Sequence, residues 1–150
     1  MSLETTFGAT GEVDERTYLA TRARTVGLGP FFVLVEAVVG GDGGRVEEEV
    51  KMQVAVAVAL QNDVLGLSRD LEMGEGRNFV VVCSRGAGRG LAWGVEKAVV
   101  VHNEAVGEAV EVWRGRGREG REGREGEGEV MAEVVGFVGR HWGWVAGRYM

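Results

Sequence analysis

Asn62, Gly66 and Asp70 fall at i, i+4 and i+8 in a stretch that is otherwise largely apolar. On a helix this spacing stacks the three on one face, so an amide oxygen and a carboxylate aim at one point beside the helix. Two such oxygens, two turns apart, suit a hard cation such as magnesium, which takes oxygen ligands and keeps positions open for water or phosphate. Arg69, next to Asp70, is placed to meet an anion held by that cation. Ser68 is only two residues from Gly66 and points elsewhere. The alternative is a core amide satisfied by a neighbour, with the acids forming a solvated face.

A long helix must carry these residues. Residues 45–73 hold no proline and a single glycine, open on the acids Glu47, Glu48 and Glu49, and are followed by Gly74 and Gly76. Acids at the start and glycines past the end are the terminal signals of a helix. At roughly 1.5 Å per residue it would run about 40 Å, the width of a whole domain. Within it, the apolar run 54–60 passes into Gln61, Asn62 and Asp63, so polar groups enter a buried element.

Around that helix, residues 13–24 read as a surface helix that ends at Gly27, Gly29 and Pro30. Residues 31–39 are nearly all apolar and suit a buried helix or a strand equally. Residues 77–84 and 98–101 are valine-rich, as strands are. Against strands, 91–113 exceeds normal strand length, with alanines and acids at helical spacing, and no Asn-Gly or Asp-Gly turn joins the valine runs. Helices throughout are therefore expected, the last over 130–149 with Phe137, Trp142 and Trp144. Residues 1–12 are expected to be a flexible terminus. Residues 114–129, built from arginine, glycine and glutamate, should form a disordered surface loop because they hold nothing to bury.

The 150 residues, 45% of them hydrophobic, allow one globular domain or a large part of one. A net charge of −6 argues against general binding to nucleic acid or anionic membranes. In 114–129 five arginines meet five glutamates, so the repeat gives RNA little to hold. The single cysteine, Cys83, excludes an internal disulfide and suits a small buried hydrophobe. The start of the chain has no basic and apolar leader, and no apolar run reaches membrane-spanning length, so a cytoplasmic location is expected.

The run 62–70, Asn-Asp-Val-Leu-Gly-Leu-Ser-Arg-Asp, followed by Gly74, Glu75 and Asn78, resembles the second metal-binding motif of class I terpene synthases, microbial members in particular. The resemblance makes Asn62 and Asp70 magnesium ligands. It departs from the family at Gly66, where a Ser or Thr oxygen is usual, and at Asp70, where Glu is usual. Residues 18–27, followed by Pro30 and Phe31, are similar to the family's upstream stretch, which makes Arg22 a sensor of the substrate diphosphate and sets Thr25 and Val26 at a helix break. Residues 101–106 look like the family's penultimate long helix, with His102 structural. The closing Trp142 to Tyr149 is similar to its last helix, which adds Arg148 and Tyr149 to the diphosphate contacts alongside Arg22 and Arg69.

What the resemblance implies is an all-α partial bundle, over 13–150, corresponding to the C-terminal half of the family's domain. The activity implied is loss of pyrophosphate from an isoprenyl diphosphate, farnesyl diphosphate foremost, with magnesium as cofactor and cyclisation of the resulting carbocation. No aspartate-rich segment, the family's other metal site, occurs in this sequence. The chain alone is therefore expected to be inactive, its partner being the missing N-terminal half. The rival expectation is a non-catalytic helical interaction module with an open apolar face.

Overall fold

The structure, a computed structural model, describes residues 14–38, 46–118 and 127–149, and of these the side chains of all but 116–118, 127–128 and 142–149. Six helices make up the described residues, with no strand among them: α1 (Glu15–Thr25), α2 (Gly29–Val38), α3 (Glu48–Glu72), α4 (Phe79–Gly86), α5 (Leu91–Arg118) and α6 (Glu127–Tyr149). The fold is all-α, as expected.

Helix α3 is the axis, and every other helix except α2 packs along it. Its buried residues Val50, Val54, Ala57 and Val58 follow helical spacing, at 2% exposure or less, so one continuous stripe is removed from water. The N-terminal half of α3 joins Phe32 and Val35 of α2, Ala105 and Ala109 of α5, and Val130 and Val134 of α6 in one apolar cluster. Leu60, farther along α3, joins Tyr18 of α1, Phe79, Val80 and Cys83 of α4, and Ala98 of α5 in a second. The helix therefore passes from one core into the other at the residues where the polar run begins.

Local chemistry sets the boundaries. Asp14 caps α1 by accepting from the Thr17 amide at 2.9 Å. Helix α1 stops at Thr25, and Pro30 is the second residue of α2, where its missing amide hydrogen costs nothing. Helix α3 ends on Gly74, whose φ of 70° only glycine adopts without strain. The Glu75 amide then donates to the Asp70 carbonyl at 2.8 Å and the Gly74 amide to that of Leu71 at 3.1 Å, closing the helix in a Schellman turn. That turn sends the chain back along α3, so that α4 packs beside the polar run.

The short apolar stretch 31–39, undecided in sequence, is helical as α2, and the valine-rich stretch 77–84 gives α4. The outward side of α2 exposes Val33 at 66%, Leu34 at 61% and Val38 at 72%. Helix α5 runs to Arg118 and α6 starts at Glu127, so helix occupies both ends of the stretch expected to be a loop. The remainder of that stretch, and the expected flexible terminus, lie outside the described residues. Among the described residues no helix is long and apolar enough to cross a membrane.

Candidate functional site

Asp63 organises the polar run. It is 1% exposed, and its carboxylate is surrounded by donors from α1 and α4. Oδ1 accepts from Arg22 Nε at 3.2 Å and Nη2 at 3.1 Å. Oδ2 accepts from the Tyr18 hydroxyl at 2.6 Å and from the Phe79 amide at 2.9 Å. The last of these is an otherwise unpaired donor in the first turn of α4, which favours the negative charge there. Burial, and then the Asp63 charge, push the Tyr18 hydroxyl pKa far upward, so it remains a donor at any working pH. Burial is the largest single influence and works against the Arg22 charge, but the opposing interactions, led by attraction to the Asp63 carboxylate, leave the net pKa raised.

Asn78 extends the network to Asp70. Fully buried at the N-cap of α4, it accepts from the Val80 amide at 3.0 Å through Oδ1. Its Nδ2 donates to the Asp63 carbonyl at 2.6 Å and to Asp70 Oδ2 at 2.9 Å. Asp70 Oδ1 also accepts from Arg69 Nη2 at 3.3 Å, and the Arg69 side chain is 60% exposed. A continuous chain of contacts therefore runs from Arg22 through Asp63 and Asn78 to Asp70 and Arg69, with a guanidinium at each end and the acids between.

Asn62 is half-buried and Asp70 is 7% exposed, both on α3 and two turns apart. A Cβ added to Gly66 would lie 3.6 and 3.7 Å from the Asp70 carboxylate oxygens, in ordinary contact. The Asp70 carboxylate thus leans back over Gly66, toward the helix N-terminus and toward Asn62, as side chains on a helix do. Among the described residues no three His, Cys, Asp or Glu side chains form a cluster that could hold a metal. The donor set is one amide and one carboxylate, which fits magnesium only with its other positions taken by water or a ligand's oxygens.

The structure brings Arg22, Asn62, Asp70 and Arg69 to the same half of the bundle. Arg148 and Tyr149 lie in the last turn of α6, and their side chains fall outside the described ones. His102 is in α5, where the partners fix its protons. Nδ1–H donates to Asn103 Oδ1 at 3.0 Å, and Nε2 accepts from Gln61 at 3.0 Å. Gln61, 2% exposed, also donates to the Val138 carbonyl at 3.1 Å and accepts from His141 Nδ1 at 2.7 Å. Gln61 thus ties α3 to α5 through His102 and to α6 through His141 and the Val138 carbonyl. Cys83 is 1% exposed and burial raises its thiol pKa, as befits a packed hydrophobe.

Asp63 and Gln61 are the residues that spacing rules pass over. The available signal was their setting, since a carboxylate between the apolar runs 54–60 and 64–67 cannot be left in a core without partners. The identity of those partners, 41 and 45 positions away, is not a local property.

Burial holds the His141 imidazole pKa below its ordinary value of 6.5. The unfolded chain therefore binds a proton at a higher pH than the folded one, and stability is lost as pH falls through the ordinary imidazole range. Urea midpoints should accordingly drop between about pH 7.5 and about pH 5.5, with a shallower drop in His141→Gln. Equal slopes for the two proteins would remove His141 as the source.

Compared with protein-family models, curated protein sequences and solved structures, the chain matches none of them.

Proposed function

We propose that the chain is the C-terminal part of a class I terpene synthase domain, binding magnesium diphosphate on the side of α3 that carries Asn62 and Asp70. The observation that carries this reading is the convergence on one stretch of α3 of a half-buried amide, a buried carboxylate and two flanking guanidinium groups. Asn62 and Asp70 would hold the ion. When bound, magnesium neutralises charge on the departing pyrophosphate of an isoprenyl diphosphate such as farnesyl diphosphate. Arg22 and Arg69 add forked donors suited to phosphate oxygens, and Arg148 and Tyr149 are assigned to the same anion. The apolar side chains around α3 supply the low-dielectric setting in which these charges act strongly.

On this reading the chain holds half of a cavity, and the exposed Val33, Leu34 and Val38 of α2 mark a face on which further helices of the domain would pack. The same face favours a second reading, a non-catalytic helical module that docks an apolar partner. Calorimetry separates the two. Pyrophosphate should bind only with magnesium present, and Asn62→Ala should abolish that binding while leaving the helical content unchanged. Gly66→Ser, which fits the space beside Asp70, should tighten it. No magnesium-dependent binding by the unaltered chain would leave the docking module. Farnesyl diphosphate should yield no cyclised product with this chain alone, and efficient cyclisation would overturn the half-cavity.

A further inference from the structure

Arg22 does not hang free beside the proposed diphosphate site. Its Nε and Nη2 are both engaged by one oxygen of Asp63, at 3.2 and 3.1 Å, and its side chain remains 32% exposed. Among the described residues Nη1 has no partner. A planar guanidinium gripped along one edge keeps its plane fixed and can offer only its other edge. Asp63 is itself held by the Tyr18 hydroxyl and the Phe79 amide, so the grip cannot slide. Through the Asp63 carbonyl, Asn78 ties the same residue to Asp70.

We propose that Asp63 is a positioning residue that presents Arg22 to the ligand, the anion being taken by the Nη1 edge while the Nε edge stays bonded to the carboxylate. The proposal rests on the diphosphate reading above. An Arg22 that bound the anion by swinging away from Asp63 would have to break two charge-assisted bonds and leave a buried carboxylate with neutral donors alone. An Arg22 that stays in place loses little on binding, because its rotamer is already set.

A double-mutant cycle on magnesium-dependent pyrophosphate affinity tests this, with Asp63→Asn, which keeps the volume, and Arg22→Lys, which keeps the charge but loses the fork. Asp63→Asn alone should weaken binding about tenfold, and in the Arg22→Lys background by less than about twofold, since it acts through the lost fork. Equal losses in the two backgrounds would make Asp63 a general structural residue and overturn the proposal. A second measurement needs no variant. In the unaltered protein the Arg22 Nε–H proton should stay protected from solvent exchange when magnesium pyrophosphate is added, while the Nη resonances shift. Loss of Nε–H protection would show Arg22 leaving Asp63 and overturn the proposal while the diphosphate reading stood. No binding at all by the unaltered protein would overturn both.

Discussion

Asp63→Ala is expected to destabilise the protein by about 3–5 kcal/mol, the range found when one partner is removed from a buried ion pair. The loss arises on several elements at once. The Phe79 amide, in the first turn of α4, is left buried without an acceptor, and the Tyr18 hydroxyl keeps only its 3.1 Å bond to the Arg77 carbonyl. Arg22 loses its only carboxylate partner among the described residues, although its partial exposure lets it regain water. Against a domain stability of roughly 5–15 kcal/mol this is a large fraction, and it should appear as a lower urea midpoint with α1 and α4 losing amide protection first. Tyr18→Phe removes one bond of the set and should cost no more than about 2 kcal/mol. An Asp63→Ala midpoint within 1 kcal/mol of the unaltered chain would mean that the network is not what fastens α1 and α4 to α3.

The parts of this arrangement that could be read in the sequence were those fixed by local rules. Helix α3 declares itself through the absence of breakers, the acids before it and the glycine after it, and its start at Glu48 and end at Glu72 lie close to the expected limits. Helices α2 and α4 do not declare themselves. Valine-rich runs of eight to ten residues satisfy strand and helix alike. What decides α4 is tertiary: Phe79, Val80 and Cys83 are all at 1% exposure or less against α1, α3 and α5. Residues 114–129 hold nothing to bury and on that ground suit a loop, whereas α5 extends to Arg118. Glycine lowers helix propensity by only about 1 kcal/mol per residue, so a long helix already begun does not stop at the first one.

The same distinction holds within the site. That Asn62, Gly66 and Asp70 share a side of α3 follows from the helical repeat alone. That Asp70 is buried beneath Asn78, and that Arg22 meets Asp63 rather than solvent, depends on the Schellman turn after α3 and on the crossing of α1 over it. Motif spacing therefore pointed to the candidate ligands, and the family resemblance to Arg22, but neither to the residues that hold them. In physical terms, oxygens on one helix that share an ion must follow its periodic pattern, while the residues that support them need only be near in space.

Gly94→Ala tests a close fit between two helices, where α5 begins its course beside α4. A Cβ at Gly94 would stand 2.2 Å from Ser84 Oγ, 2.6 Å from the Val80 carbonyl oxygen and 2.9 Å from Val80 Cγ1. The hydroxyl can rotate away, at the cost of its 3.2 Å bond to the Gly90 carbonyl, but the Val80 carbonyl belongs to the backbone of α4 and cannot. Helix α5 must then move outward, loosening Phe79, Val80 and Cys83 against Ala98 in the second core. Overpacking of this kind typically costs about 1–3 kcal/mol, and the backbone contact places Gly94→Ala at the upper end despite alanine's better helix propensity. Adding Ser84→Ala to Gly94→Ala should recover only part of the loss, because it removes the nearest contact and leaves the carbonyl. Full recovery in the double variant would place the whole strain on the serine, and no loss in Gly94→Ala would show that α4 and α5 lie farther apart than the structure has them. Because α4 carries both Asn78 at its N-cap and the Phe79 amide on Asp63, loosening α4 against α5 should, on the proposed reading of the site, also weaken magnesium-dependent pyrophosphate binding, although Gly94 touches none of the candidate ligands.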